Sequence, residues 1–445
     1  MPGPERDFPR AIVAIQVAFQ GRPEPVDIVV IPRKVTVTRR GHTQADTADV
    51  DLDGTEIPFD PRSIQSILMT VHMGQAPTMN AADWHTPATA RFAGYVDLFE
   101  GEQGEDDTLT LKARDLSSLL RDAKPLPVAA TPLYSDTFGE AVQRILSAVP
   151  GGDALFLDIG DANVPLSNLV HSRGATGPIH LERDMTAWAV IEYLAGMANR
   201  LVSVDLDRLL VRPPRNVFDN LFPPRVTLEF NTPTANLTKL GVQKKFIRNR
   251  KGVRAVCFDP IRRVRLEADY PPDSELPPRT RPRARSTSNA HASRRRAAPA
   301  APQPPDRDVY SVPPVPDKDR LMEVAQGIWL ERSRQELTIT AEAPYFTDDW
   351  LRLMNGDRVR LTLNRAIVAG LNPQQSRAVQ VAVLSRRLAI TRQSAELLLD
   401  AARNPGADTF YVHEAVLQWN PEGDIGVKLD IINMIAVEVR DGREP

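Results

Sequence analysis

Between Asp27 and Ala113 the chain repeats one pattern, short runs of Val, Ile and Leu broken by Asp- and Gly-rich turns, and this constrains its fold more than any other feature. Asp27 to Arg39 is rich in Val and Ile. Asp46-Thr47-Ala48-Asp49-Val50-Asp51-Leu52-Asp53 then alternates small or apolar residues with polar, mostly acidic ones and ends at Gly54. A period of two puts one set of side chains on each face, as in a half-buried strand. Ile64 to Met73 (ending at Gly74), Arg91 to Val96 and Thr108 to Ala113 continue the series. Several short strands at regular spacing fold as an antiparallel barrel or sandwich rather than as a parallel sheet.

After this region the period changes. From Tyr134 to Pro150, Phe138, Ala141, Val142, Ile145, Leu146 and Val149 share one helical face, with Ser135 or Asp136 as the expected cap and Pro150-Gly151-Gly152 as the stop. A second helix is expected from a cap at Asp184, with Trp188, Ile191, Leu194, Ala195 and Ala198 on its apolar face and Asn199 as a left-handed stop. Leu201 to Val204, a polar turn over Asp205 to Arg208, and Leu209 to Val211 then read as a hairpin. Together these make a small α/β domain inserted after the first β region. Arg225 to Phe230 and Gln243 to Asp259 return to strand composition.

The helix and hairpin of 184–214 take the form "D-x-x-A-x-x-x-[IL]-x-x-L-A" and then "V-x-V-D-x-D-x-L-x-V-R-P-P", which resembles the α/β insertion of the tail-hub proteins. That family includes late control protein D at the baseplate centre of contractile-tailed phages and the head of type VI secretion spikes. The hub's first barrel is matched in order by Ala45 to Leu52, Leu68 to Gly74, Phe92-Ala93-Gly94-Tyr95-Val96, and Ala113-Arg114-Asp115-Leu116-Ser117-Ser118-Leu119-Leu120, with Ala48 where an aromatic residue is usual. Val253 to Pro260 resembles the strand that opens its second barrel. Leu353-Met354-Asn355-Gly356-Asp357-Arg358-Val359-Arg360-Leu361 resembles its "G-D" turn, where Gly356 is expected at positive φ. Phe410 to Trp419 and Gly426 to Asn433, an antiparallel pair across a Pro-Glu-Gly turn, resemble its close, with Gln418 in place of the usual histidine.

The resemblance implies a mainly β fold with α+β insertions, in which two tail-tube-like antiparallel β-barrels accompany the small α/β domain. The expected boundaries are 1–125 for the first barrel, 126–218 for the α/β insertion, 219–270 for the opening strands of the second barrel, and 316–445 for its remainder. Asp319 to Glu336 is expected as a helix with Leu321, Val324, Ala325 and Ile328 inward, and 364–408 as an unassigned helical insert that includes Ser394 to Arg403. Between them, 271–315 is a basic linker crowded with Pro, Arg, Ala and Ser. Arg279, Arg281, Arg283, Arg285, Arg294, Arg295 and Arg296 occur there with no acidic residue between Glu275 and Asp306. Such a stretch buries too little apolar area to offset the cost of ordering. It reads either as a solvated tether or as an arm that grips an acidic neighbour, a tape-measure protein, or the phosphates of passing DNA. The run from Arg279 to Arg296 has no Phe, Tyr or Trp to stack bases, which argues against sequence-specific nucleic-acid binding.

A net charge of −2 over 445 residues offers no global attraction to nucleic acid or an acidic membrane. Cys257 is the sole cysteine and lies in an apolar run, so an intrachain disulfide and a Cys-rich zinc site are excluded. No apolar run is long enough to span a membrane and the start lacks a signal-peptide core, so synthesis in a bacterial host cytosol is expected. His413-Glu414 begins a zinc-protease pattern, but Leu417 stands where the second histidine belongs. Asp49 to Gly54 matches the first half of a calcium loop, but Asp60 replaces the closing glutamate and Pro58 and Pro61 interrupt the exiting helix that such a loop requires. His72 and His85 flank Asp83 and Trp84 without ligand spacing, and Glu140 and Glu192 are isolated carboxylates on helix faces. No catalytic residue, metal or cofactor is expected.

The resemblance therefore implies a structural adaptor at the virion's tail baseplate: a homotrimer joining a sixfold tail-tube protein to a threefold central spike, beside baseplate wedge proteins. Alternatives are the hub of a type VI or extracellular injection particle, or a tail-borne cell-wall hydrolase with 364–408 as its module. Strands 28–37 and 427–432 are expected to present apolar faces with no cover from within the chain, and uncovered edges are normally paired with a neighbour.

Overall fold

A computed structural model describes residues 8–40, 44–54, 61–76, 88–102, 107–123, 131–133, 135–158, 178–179, 185–198, 200–212, 224–230, 237–244, 252–259, 264–272, 307–312, 318–334, 337–343, 348–363, 374–388, 409–420 and 425–433, with positions 166, 181, 392, 395, 396 and 399. Described residues before 245 and after 336 form one compact unit, and those between form a second.

The first unit opens with β1 (Phe8–Phe19), β2 (Val26–Val30), β3 (Lys34–Arg39), β4 (Thr47–Asp53), β5 (Ile64–Ala76), β6 (Ala90–Glu102) and β7 (Thr108–Asp115). Alternation decides which side chains enter the core. Ala48, Val50 and Leu52 of β4 are fully buried while Asp49, Asp51 and Asp53 face the other way, and β3 buries Val35 and Val37 in the same manner. Later segments add β11 (Val226–Phe230), β12 (Lys239–Lys244), β16 (Leu337–Ala343), β17 (Arg358–Leu363), β18 (Thr409–Trp419) and β19 (Ile425–Asn433). All join one 13-stranded sheet in the order β12-β16-β19-β18-β3-β4-β7-β6-β5-β1-β2, with β17 bridging β18 and β11. The fold is mainly β with α+β insertions, as expected. Among the described residues, strands assigned to both barrels share this sheet, β13 and β14 of the second unit excepted, and no pairing between its end strands closes it.

Two local expectations do not hold. The stretch 28–37, expected to lack intrachain cover, is two strands, β2 with one edge open and β3 lying between β4 and β18, while 427–432, expected likewise, belongs to β19, which lies between β16 and β18. One partner of each, β18 for β3 and β16 for β19, is distant in sequence, so no local pattern signals that pairing. β1 goes unannounced because Pro9 and the charged residues before it mask a strand that pairs with β5 along its whole length and buries Val13, Ile15 and Val17.

The small α/β insertion contains α1 (Ser117–Asp122), α2 (Phe138–Ala148), α3 (Ala187–Ala198) and a sheet of β8 (Phe156–Asp158), β10 (Arg208–Arg212) and β9 (Leu201–Asp205). The apolar face of α2 is buried as its spacing requires, but its cap is Thr137. The Thr137 hydroxyl accepts the Glu140 N–H while the Glu140 carboxylate accepts that of Thr137, which satisfies two orphan donors reciprocally. Asp136, one of the caps expected, instead binds Leu133 N–H and Arg144. Asp184 and Asn199 lie outside the described residues, and at the start of α3 the Thr186 hydroxyl accepts the Ala189 N–H. The β9–β10 turn places Leu206 at φ 58, the left-handed region.

The 364–408 insert supplies α6 (Arg377–Leu388), preceded in the chain by α4 (Lys318–Arg334) of the second unit and the short α5 (Asp348–Leu351). Val381 and Leu384 of α6, with Ala395 and Leu399, join the hydrophobic core of the main sheet. Burying Val381, Leu384 and Leu399 stabilises the fold by roughly 1.5–3 kcal/mol for each side chain.

The second unit differs from expectation. β13 (Gly252–Asp259) and β14 (Val264–Tyr270), read as opening strands of a barrel, pair with each other and with β15 (Arg307–Ser311) in a separate sheet. One set of apolar positions is satisfied locally, whereas Phe258 and Val264 are exposed: Val253, Ala255, Cys257 and Ala268 are buried, as are Leu321, Ala325 and Trp329 of α4, with Tyr270 edge-on to Trp329 at 5.5 Å. β15 lies inside the stretch read as linker. This unit is spliced into the chain between β12 and β16 where Lys244 and Leu337 face each other.

Candidate assembly surfaces

The middle of the main sheet is a seam where β3, from the first segment of the chain, pairs with β18, from the last. Val35, Val37 and Arg39 share the inward face of β3, so the guanidinium of Arg39 is buried with its neighbours. It donates to the carbonyls of Leu353, at 3.2 Å, and of Arg91. A buried charge is tolerated only when so satisfied. Asn355 Nδ2 donates to the carbonyls of Arg40 and His413, and Arg40 Nε lies 3.1 Å from the Glu414 carboxylate. The turn bearing Asn355 has Gly356 at φ 82, as its sequence requires, and is closed by Asp357, whose buried carboxylate accepts Met354 N–H at 2.9 Å and Arg225 Nη1 at 2.6 Å. An arginine at an inward position of an alternating strand is the signal that would have found Arg39 in the sequence.

Three strands of the sheet, β2, β12 and β11, which pairs only with β17, each have one edge with no partner among the described residues. β2 is short and exposes Val29, with Ile31 just beyond it 57% exposed. Its Asp27 accepts from Gln16 of β1, and Lys239 of β12 lies 3.2 Å from Glu342 of β16. An open edge with exposed β-branched residues offers itself to another strand.

A polar cluster joins the sheet to the α/β insertion. Asp115, at the end of β7, is buried and accepts the Asp46 N–H at 3.0 Å, the Ser117 N–H at 3.0 Å and the Ser117 hydroxyl at 2.5 Å. Arg121 of α1 donates to Ser117 Oγ and lies 4.4 Å from the centre of the Trp188 ring, whose Nε1 donates to Glu192 at 2.7 Å. Outside it, Arg114 is clamped between Asp97 and Asp122.

The residues weighed for catalysis fall apart in space. His413 and Glu414 lie on strand β18 rather than a helix, and Asp49, Asp51 and Asp53 lie along β4. His72 is buried with Nδ1 3.1 Å from Thr89 Oγ1, while His85 lies outside the described residues. Glu140 completes a helix cap and Glu192 binds Trp188. Among the described residues no group of three or more His, Cys, Asp or Glu is placed to hold a metal, and no helix is long and apolar enough to cross a membrane. Arg279, Arg281, Arg283, Arg285, Arg294, Arg295 and Arg296 lie outside the described residues.

No protein-family model matches the chain, and no curated protein does. Solved structures do. The chain is similar over 95% of its length to the 43 kDa tail protein of prophage MuSo2 from Shewanella oneidensis, 98% of which is covered, at 12% identity and a TM-score of 0.54. It is similar over 94% of its length to 96% of the tail protein from Neisseria meningitidis MC58, at 12% identity and a TM-score of 0.52. This chain has the fold of phage tail proteins.

Proposed function

We propose that the protein is a non-enzymatic structural hub of a phage-like tail baseplate, a homotrimer that joins the sixfold tail tube to the threefold spike. The observation that carries this reading is the fold, shared with two tail proteins over nearly the full length of all three chains. The open strands at both ends of one large sheet support it further, because a neighbour's β12 laid against β2 continues the sheet from copy to copy. Such head-to-tail contacts close a ring when the rotation between copies is a whole fraction of a turn with no rise along the axis. The seam braced by Arg39, Asn355 and the Arg40–Glu414 pair supplies the stiffness that an adaptor between two symmetries needs. The core residues within 364–408 count against that insert as a separate hydrolase module.

The arginines from Arg279 to Arg296 are proposed to grip an anionic partner in the assembled particle, either passing DNA or an acidic tape-measure segment. The test is a mass measurement in solution together with the symmetry seen at the tail axis. A trimer is expected, and a stable monomer with sixfold or twofold occupancy at the axis overturns the hub reading. In the same particles, changing those arginines to serine should leave folding intact and weaken assembly or DNA passage in a salt-dependent manner. Unchanged assembly and passage would reduce the stretch to a tether.

A further inference from the structure

Three aspartates are buried among the described residues, and one is unlike the other two. Asp136 is paired with Arg144 at 2.7 Å and Asp357 with Arg225 at 2.6 Å. The Asp115 carboxylate instead takes only neutral donors, the Asp46 and Ser117 N–H groups and the Ser117 hydroxyl. It stands where three elements meet: the end of β7, the start of α1 and, through Arg121 and Trp188, helix α3. The Ala187 N–H at the head of α3 also donates to the Ala123 carbonyl just past α1, so this cluster is the joint between sheet and insertion.

We propose that Asp115 is a proton-binding site that couples the α/β insertion to the main sheet, with the α1–α3 joint tightening as Asp115 takes up a proton and loosening as it ionises. The geometry accommodates the neutral acid by the turn of one hydroxyl. A proton on Oδ1 can be donated to Ser117 Oγ, which already accepts from Arg121 Nε, once the Ser117 O–H that now donates to Oδ1 rotates away, while Oδ2 keeps the Asp46 N–H. The charged groups facing the site are Arg121 from α1, Glu192 from α3 and, just before β4, Asp46, whose carboxylate accepts the Arg40 N–H; Arg114 is occupied by Asp97 and Asp122.

Burial pushes Asp115 above the usual aspartate range, outweighing the Ser117 and Asp46 hydrogen bonds and the charge of Arg121, which act in the opposite direction. Burial raises Glu192 as well, against its bond from Trp188, although that residue is exposed overall and so contributes less. Burial also lowers Arg121, which stays charged throughout the accessible pH range. The sign comes from linkage. A carboxyl whose folded pKa lies above its unfolded value binds its proton more tightly in the closed joint than in the open one. Closure is therefore favoured as pH falls through the raised value and weakened above it. A monomer would show the same behaviour, so proton uptake and assembly are read separately.

The experiment is amide hydrogen exchange on the full chain, expressed as protection relative to intrinsic rates, from pH 7.5 down to about 5. Protection of Ser117–Asp122 and Ala187–Ala198 is expected to rise several-fold toward acid while β3 and β4 stay constant. Asp115→Asn, a neutral isostere, should hold both helices at the acid level at pH 7.5 and flatten the dependence. Glu192→Gln should leave most of it. Protection that falls toward acid in the wild type, or an Asp115→Asn protein that keeps the wild-type pH dependence, overturns the proposal. The first of these stands even if the variant does not fold.

Discussion

Gly94 shows how much one missing methyl group can matter. It stands on β6 between β5 and β7, and a Cβ added there would lie 2.0 Å from the Arg114 carbonyl oxygen and 2.6 Å from its carbon, a backbone obstacle that no side-chain motion relieves. The Phe92-Ala93-Gly94 motif thus has a physical basis in this chain: a larger residue would force β6 away from β7. Gly101, on the same strand, has nothing within 4 Å of such a Cβ. Gly94→Ala should lower stability by about 2 kcal/mol or more, while Gly101→Ala should change it by less than about 0.5 kcal/mol. Thermal unfolding of the two variants side by side checks this, and equal midpoints would show that β6 and β7 are not packed as described. The same scale separates what sequence reveals from what it hides. Gly356 is legible because a positive φ leaves a compositional mark, whereas Asp115 looks like any strand-end aspartate until its burial is seen.

Strands are legible when their own alternation speaks for them. β4, with acids on one face and Ala48, Val50 and Leu52 on the other, is read directly, and so is the β9–β10 hairpin. Pairing is not, since hydrogen bonds between β3 and β18 leave no trace in either segment. The same limit hid which edges are open. Lysine at exposed edge positions discourages strand addition without disturbing the strand's own partner. Val29→Lys with Ile31→Lys should therefore reduce self-association in solution while the unfolding temperature stays within a degree or two, both residues being exposed. Undiminished association, measured by sedimentation, would remove β2 from the contact.

For the molecule as a whole, the second unit sits in the sequence like a long loop between facing residues. Cα atoms of directly opposed antiparallel residues lie about 4.5–5.5 Å apart, a gap that a two-residue Asn-Gly turn spans. Replacing 245–336 with such a turn between Lys244 and Leu337 should leave the main sheet folded, with exchange protection in β3, β4 and β7 unchanged. A shortened chain without cooperative unfolding would show that the sheet depends on the inserted unit. The seam has a further consequence, one of time rather than of space. Arg40 and Glu414 are 374 residues apart. At a ribosome's pace of about 5–20 residues per second, β3 waits roughly 20–75 s for the strand that covers it. Throughout that interval the nascent chain presents a raw edge flanked by Lys34, Arg39 and Arg40. Those charges sit where they can keep two growing chains from pairing with each other before either is complete.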